Sequence, residues 1–125
     1  MYGMMKMKNE MSRNDERLAE ILQKAGLSRN VARTLAYMHG RDEVTSIQIE
    51  KATGLRQPEV SIAMKWLKMK GWVVKRDIKK EGKGRPVHGY RLAKPFPQIL
   101  EELVKDQEAK IEDIKKLIDD LKSFS

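Results

Sequence analysis

The sequence predicts a mainly α-helical fold with one small β-hairpin, ending in a single long helix. Three observations predict it. Apolar residues recur at helical spacing through four capped segments between Ser12 and Gly71. The period shifts toward alternation between Trp72 and Leu92, around a polar tip punctuated by glycine. From Leu100 to Leu121 the apolar positions then keep an unbroken heptad.

Residues 1–11 are rich in Met and Lys and carry no period, so disorder is expected there. Ser12 and Asp15 have the spacing of a capping box. Leu18, Ile21, Leu22 and Ala25 follow as the inner stripe of a first helix, and Gly26 stops it. Ser28 caps a second helix, with Val31, Ala32, Leu35 and Met38 inward and Gly40 at its end. Val44 and Thr45 suit a very short strand. Thr45 or Ser46 then caps a brief third helix, with Ile49 and Ala52 inward, closed by Gly54. Pro58 fits the first turn of a fourth helix, where a missing N–H costs nothing. That helix buries Val60, Met64 and Leu67 and ends at Gly71.

Two strands follow, one from Trp72 to Lys79 and one from Val87 to Leu92, joined by the basic tip Lys80–Pro86. Lys94–Pro95–Phe96–Pro97 is a stiff connector, because each proline restricts itself and its predecessor. Three regions result: a disordered start at 1–11, a helical body with its hairpin at 12–94, and a C-terminal helix at 95–125.

In that last region Leu100, Val104, Gln107, Ile111, Ile114, Ile118 and Leu121 are separated by 4, 3, 4, 3, 4 and 3 residues. Leu103 and Leu117 widen the seam on one side. A helix of this size is roughly 40 Å long at the standard rise, too long for so small a body to cover. Pairing with its own copy is the simplest partner, so these seven residues are expected to form a dimerisation seam. Packing across the body is the alternative. Gln107, polar at a core position, would fix register.

The chain of 125 residues carries a net charge of +8, unevenly placed. Residues 99–125 are net −3, and residues 56–94 are net +9. A basic body beside a mildly acidic tail points to a polyanion for the body alone, against the plainer reading of solubilising charge. There is no cysteine, which excludes disulfides, thiolate metal sites and cysteine nucleophiles and suits a reducing cytoplasm. Two histidines, His39 and His88, lack a second ligand at metal spacing and read as structural or exposed. No metal, cofactor or nucleotide site is expected. Neither a membrane-spanning run nor a secretory leader is evident. The acidic pairs of the tail, such as Glu101–Glu102 and Asp119–Asp120, read as a solvated face and not as acid–base pairs. An enzyme is therefore not expected.

The third and fourth helices, with the Gly54 turn between them, have the order and spacing of a helix-turn-helix. With Val60, Met64 and Leu67 inward, Arg56, Gln57, Glu59, Ser61, Ile62, Lys65 and Lys68 lie outward or at the margin. An α-helix fits the major groove of duplex DNA, where side chains read base edges. Arg56 and Gln57 suit bidentate pairing to guanine and adenine, Ser61 suits base or phosphate, and Ile62 suits a thymine methyl. Lys65 and Lys68 suit phosphates. The hairpin strengthens this weak signal. Lys75, Arg76, Lys79, Lys80, Lys83 and Arg85 crowd it, the last four at or next to its tip, where glycines allow close approach, with Arg85 suited to the minor groove. A flexible loop covering a sheet edge is the plainer reading.

The stretch from Thr53 to Leu92, with its Gly-Leu-x-x-x-x-Val-Ser motif and GKGRP tip, resembles the winged helix-turn-helix of archaeal and bacterial transcriptional regulators of the TrmB, MarR and ArsR-like groups. The resemblance spans about residues 28–93. It implies a homodimeric regulator whose third core helix enters the major groove and whose wings grip flanking DNA. By that match Arg56, Gln57, Ser61, Ile62 and Lys65 fall on recognition positions, and Lys83 and Arg85 on the wing tip. Departures are visible. Glu50 stands where a small residue is usual, ArsR-type thiolate sensing is impossible, and the sugar-binding domain of long TrmB relatives has no counterpart. Trp66 replaces a charged residue and is expected to pack on the tail or a dimer partner.

The expected function is thus a cytoplasmic, sequence-specific regulator of transcription that binds double-stranded DNA as a homodimer. Its operator should be roughly palindromic at the 34–36 Å repeat of the groove. The rivals are a sequence-tolerant protein coating DNA and a protein-interaction module that reuses the same fold. No residue marks an effector site.

Overall fold

A computed structural model describes residues 10–78 and 87–125. It contains α1 (Arg13–Lys24), α2 (Arg29–Met38), β1 (Val44–Thr45), α3 (Ser46–Thr53), α4 (Gln57–Met69), β2 (Val73–Ile78), β3 (Val87–Leu92) and α5 (Phe96–Lys122). The mainly helical fold with a small antiparallel sheet is the one expected. The chain divides into two compact units at Lys94 and Pro95.

In the first unit the helix starts follow capping chemistry. Ser12 accepts from the Asp15 N–H at 3.0 Å while the Asp15 carboxylate accepts from the Ser12 N–H at 3.0 Å. Thr45, and not Ser46, caps α3, in a reciprocal pair with Gln48 at 3.2 and 2.9 Å. Ser28 accepts from Val31 at the start of α2. Each such pair satisfies N–H groups that the first turn leaves open.

The core is made by Leu22 of α1, Leu35, Tyr37 and Met38 of α2, Ile49 of α3, Met64 and Leu67 of α4, and Trp72, all fully buried. In α1 the buried apolar residues are Ala19 and Leu22, whereas Ile21 is 49% exposed. The expected stripe was too wide: α1 lies against the body through a narrow face, and Ile21 falls at its margin. Ala52 is likewise only half-buried.

Asp15 is fully buried, and the cap is only part of its role. Its carboxylate lies 3.3 Å from Nη1 of Arg41, which also stacks 4.1 Å from the Tyr37 ring centre and donates to the carbonyls of Tyr37 and Glu10. A buried carboxylate needs such a partner, since desolvation without one costs several kcal/mol. This pair ties the start of α1 to the loop after α2.

The three strands form one antiparallel sheet in the order β1-β3-β2. Val44 pairs with Tyr90 and Tyr90 with Lys75; Thr45 pairs with Gly89 and Gly89 with Arg76. Alternation puts Val44, Val73 and Tyr90 on the inner face, where they are buried, and puts Lys75 and His88 on that face nearer the hairpin tip. On the outer face Arg76 reaches past side-chain-free Gly89 to bond Glu43 at 2.8 Å. That bond raises the Arg76 guanidinium above its ordinary value.

The second unit is α5, 27 residues long. Phe96, Ile99 and Leu103 are buried, while Val104, Ile111, Ile114, Leu117, Ile118 and Leu121 are exposed.

Candidate nucleic-acid interface

The position of α4 is set by the turn before it. Gly54 ends α3 at φ 77°, a left-handed conformation in which a Cβ is strained, and its N–H bonds the Glu50 carbonyl at 2.9 Å. Buried Thr53 holds both sides of the turn: its hydroxyl donates to the Ile49 carbonyl at 2.6 Å and accepts from the Leu55 N–H at 3.2 Å. Arg33 of α2 donates to the Thr53 carbonyl at 3.2 Å and pairs with Glu16 of α1 at 2.6 Å. One guanidinium therefore joins α1, α2 and the end of α3. At the far end of α4, Gly71 at φ 76° lets the Trp72 N–H return to the Leu67 carbonyl and the Gly71 N–H to that of Lys68. This is a Schellman closure, and it leads directly into β2.

Held in this way, α4 buries Val60, Ala63, Met64 and Leu67 and exposes Gln57, Ser61, Ile62, Lys65 and Lys68. Arg56 precedes the helix with its side chain 90% exposed. Glu59 behaves differently from the others. Its carboxylate accepts from the Arg56 N–H at 2.9 Å, so it serves the helix cap and also sits 4.0 Å from the Arg56 guanidinium.

Gln57, Ser61, Lys65 and Lys68 follow one another along a single face of α4 and line a groove of about 350 Å³. The opposite wall is the sheet, which contributes Lys75, His88 and Tyr90. Three lysines thus line one open channel between the helix and the hairpin. His88, expected to be structural or exposed, and Lys75, expected among the hairpin's cations, both stand on this wall. The expected hairpin-tip residues Lys79, Lys80, Lys83 and Arg85 lie outside the described residues.

Ile62, 70% exposed, and Trp66 occupy the other flank of α4, where they border a smaller recess with Leu27 and Val31. Trp66 meets Trp72 edge-to-face, with centroids 5.6 Å apart at 81°, and the Lys70 ammonium lies over both rings. Trp66 is thus engaged by the next aromatic residue in the chain, a contact the sequence does not announce. Among the described residues no group of three His, Cys, Asp or Glu side chains could hold a metal. No helix among them is long and apolar enough to cross a membrane.

Residues 25–84 match the MarR family. The fold is a winged helix. In that winged helix α3 and α4 are the helix-turn-helix and β2 and β3 the wing. The same fold occurs in the structure of TrmBL2, an archaeal chromatin protein reported to show a novel mode of DNA binding, with a TM-score of 0.61 and 18% identity. That likeness covers 87% of this chain but only 39% of TrmBL2. A transcriptional regulator of known structure is similar at a TM-score of 0.54 and 17% identity, over 81% of this chain and 67% of its own. No curated protein sequence matches the chain significantly. Neither the family match nor these neighbours point to an enzyme.

Proposed function

We propose that the chain is a regulator of transcription that binds double-stranded DNA as a homodimer. In this reading α4 enters the major groove and the wing lies on the neighbouring backbone. The observation that carries this is the groove between α4 and the sheet. Lys65 and Lys68 on one wall and Lys75 on the other give the groove the positive charge a phosphate backbone needs, while Arg56 and Gln57 stand exposed at the leading end of the helix. A convex ridge that reads, beside a cationic channel that grips, is what groove recognition requires. The seam of α5 supplies the second copy, and symmetry then doubles the contact.

A second reading is a sequence-tolerant protein that coats DNA. It is favoured by the make-up of the groove, whose Lys and Arg residues among the described ones are all lysines, which bind phosphate as point charges and carry little base specificity. Selection of bound duplexes from a random pool, with a salt series and the particle mass in solution, separates the two. Specific regulation predicts an enriched, roughly palindromic site and a dimer mass. Coating predicts the same steep salt dependence, near −0.9 per phosphate on logarithmic axes, with no enriched site. Intact dimers that fail to bind duplex at low salt would overturn both.

A further inference from the structure

The homodimer reading leaves the orientation of the paired helices open, and the charges along α5 decide it. We propose that α5 pairs with α5 of a second copy in the antiparallel sense, with Ile111 against the partner's Ile114 at the centre. This rests on the homodimer reading and adds its orientation and register.

Val104, Ile111, Ile114, Ile118 and Leu121 are all exposed along one face of a 27-residue helix. In heptad terms Val104, Ile111 and Ile118 take a positions, and Leu100, Gln107, Ile114 and Leu121 take d positions. The flanking e positions are then Glu101, Glu108, Lys115 and Lys122, and the g positions are Leu103, Lys110 and Leu117. The e edge is acidic in its first half and basic in its second.

A parallel pair sets each g residue against the e residue of the partner's next heptad. Lys110 then meets the partner's Lys115, while Leu103 meets the partner's Glu108 and Leu117 the partner's Lys122. No opposite charges meet, and one like-charge contact occurs twice by symmetry. An antiparallel pair sets e against e. Glu101 then meets the partner's Lys122, and Glu108 meets the partner's Lys115, which makes four attractive contacts in all. Its core layers are Val104 with the partner's Leu121, Gln107 with the partner's Ile118, and Ile111 with the partner's Ile114. On the other edge the methylene stem of Lys110 lies along the partner's Leu117.

The same charges choose the register. A slip of one heptad in one direction brings Glu108 against the partner's Glu108, and in the other brings Lys115 against the partner's Lys115. The Gln107 layer alone favours a parallel pair, in which two glutamines would face each other, and it stands against four charge contacts. Lys115 also lies 3.5 Å from Glu112 in its own helix, an exposed pair too weak to withdraw it from a partner. In the antiparallel pair the two Phe96 residues lie about 50 Å apart along the rod.

The chain has no native cysteine, so introduced thiols report geometry directly. Antiparallel pairing predicts that a mixture of Val104→Cys and Leu121→Cys chains oxidises to a mixed dimer. Val104→Cys alone should not crosslink, because its copies lie about 25 Å apart and a disulfide needs Cα atoms within about 7 Å. Sedimentation tests the charges. Lys115→Glu and Glu108→Lys should each weaken self-association about tenfold at low salt, and the double reversal should restore it. Crosslinking of Val104→Cys with itself, or stronger association of Lys115→Glu, would overturn the orientation and leave the homodimer standing. A monomer mass for the unaltered chain would overturn the homodimer reading itself.

Discussion

Arg33 and Thr53, twenty residues apart, are joined by a 3.2 Å hydrogen bond from the guanidinium Nε to the backbone carbonyl. This contact fixes where the helix-turn-helix bends. Because the same guanidinium holds Glu16, it ties the turn to α1 and α2 and so to the body of the winged helix. Arg33→Ala is expected to lower stability by about 1–2 kcal/mol, the usual cost of losing a charged donor to a buried carbonyl. Thr53→Val, which keeps the shape and removes the hydroxyl from the Leu55 N–H, should cost a similar amount. Denaturant unfolding measures both. If neither variant shifts the midpoint, the turn is held by packing alone.

Gly54 permits a finer test of the same turn. A Cβ added there meets no atom within 4 Å, so only the backbone penalises a side chain. Gly54→Ala should therefore cost about 1–2 kcal/mol, the left-handed penalty of an L-residue. Gly54→Asn should cost less, because Asn tolerates that conformation. Equal losses for the two would mean that the turn changes shape when substituted.

How far these features were visible beforehand depends on the range of the interaction that creates them. Ser12 with Asp15 and Thr45 with Gln48 are three residues apart, so caps and helix starts could be read directly. The exposed face of Gln57, Ser61, Lys65 and Lys68 follows from the helical repeat once Val60, Met64 and Leu67 are known to be inside. The far wall of the groove could not be read in this way. Whether Lys75 and His88 point inward depends on the register of β2 against β3 and on how the sheet leans toward α4, neither of which is encoded locally. Arg33 was equally hidden, since an arginine within a helix shows nothing of a partner twenty residues away. The Trp66–Trp72 contact is hidden for a related reason: it needs the chain reversal at Gly71, and periodicity along α4 does not register it.

The groove makes separable predictions about DNA. Lys75→Ala should weaken binding to specific and random duplexes alike and should reduce the salt slope by about 1, as expected when a phosphate contact is lost. Gln57→Ala should leave the salt slope unchanged and narrow the gap between the selected site and random DNA by about 1–3 kcal/mol. Fluorescence anisotropy over a salt series measures both. If Lys75→Ala changes neither affinity nor slope, the sheet wall does not touch DNA.

Tyr37 gives the winged helix an alkaline limit. Burial raises its phenol above the ordinary value of 10.0; the Arg41 guanidinium opposes that shift and the Asp15 carboxylate adds to it. The folded state thus holds the proton more tightly than the unfolded chain does. The stability this represents is fully present below about pH 10, where both states are protonated, and it is lost as pH rises from there through the higher folded value. The hydroxyl is also buried without a hydrogen-bond partner among the described residues, so removing it should cost little at neutral pH. Tyr37→Phe is therefore expected to unfold within about 1 kcal/mol of the unaltered chain at pH 7 and to lose stability less steeply above pH 10. Denaturant melts at pH 7, 9, 10 and 11 compare the two chains. Parallel losses above pH 10 would assign the alkaline sensitivity to other groups and leave Tyr37 as a packing residue.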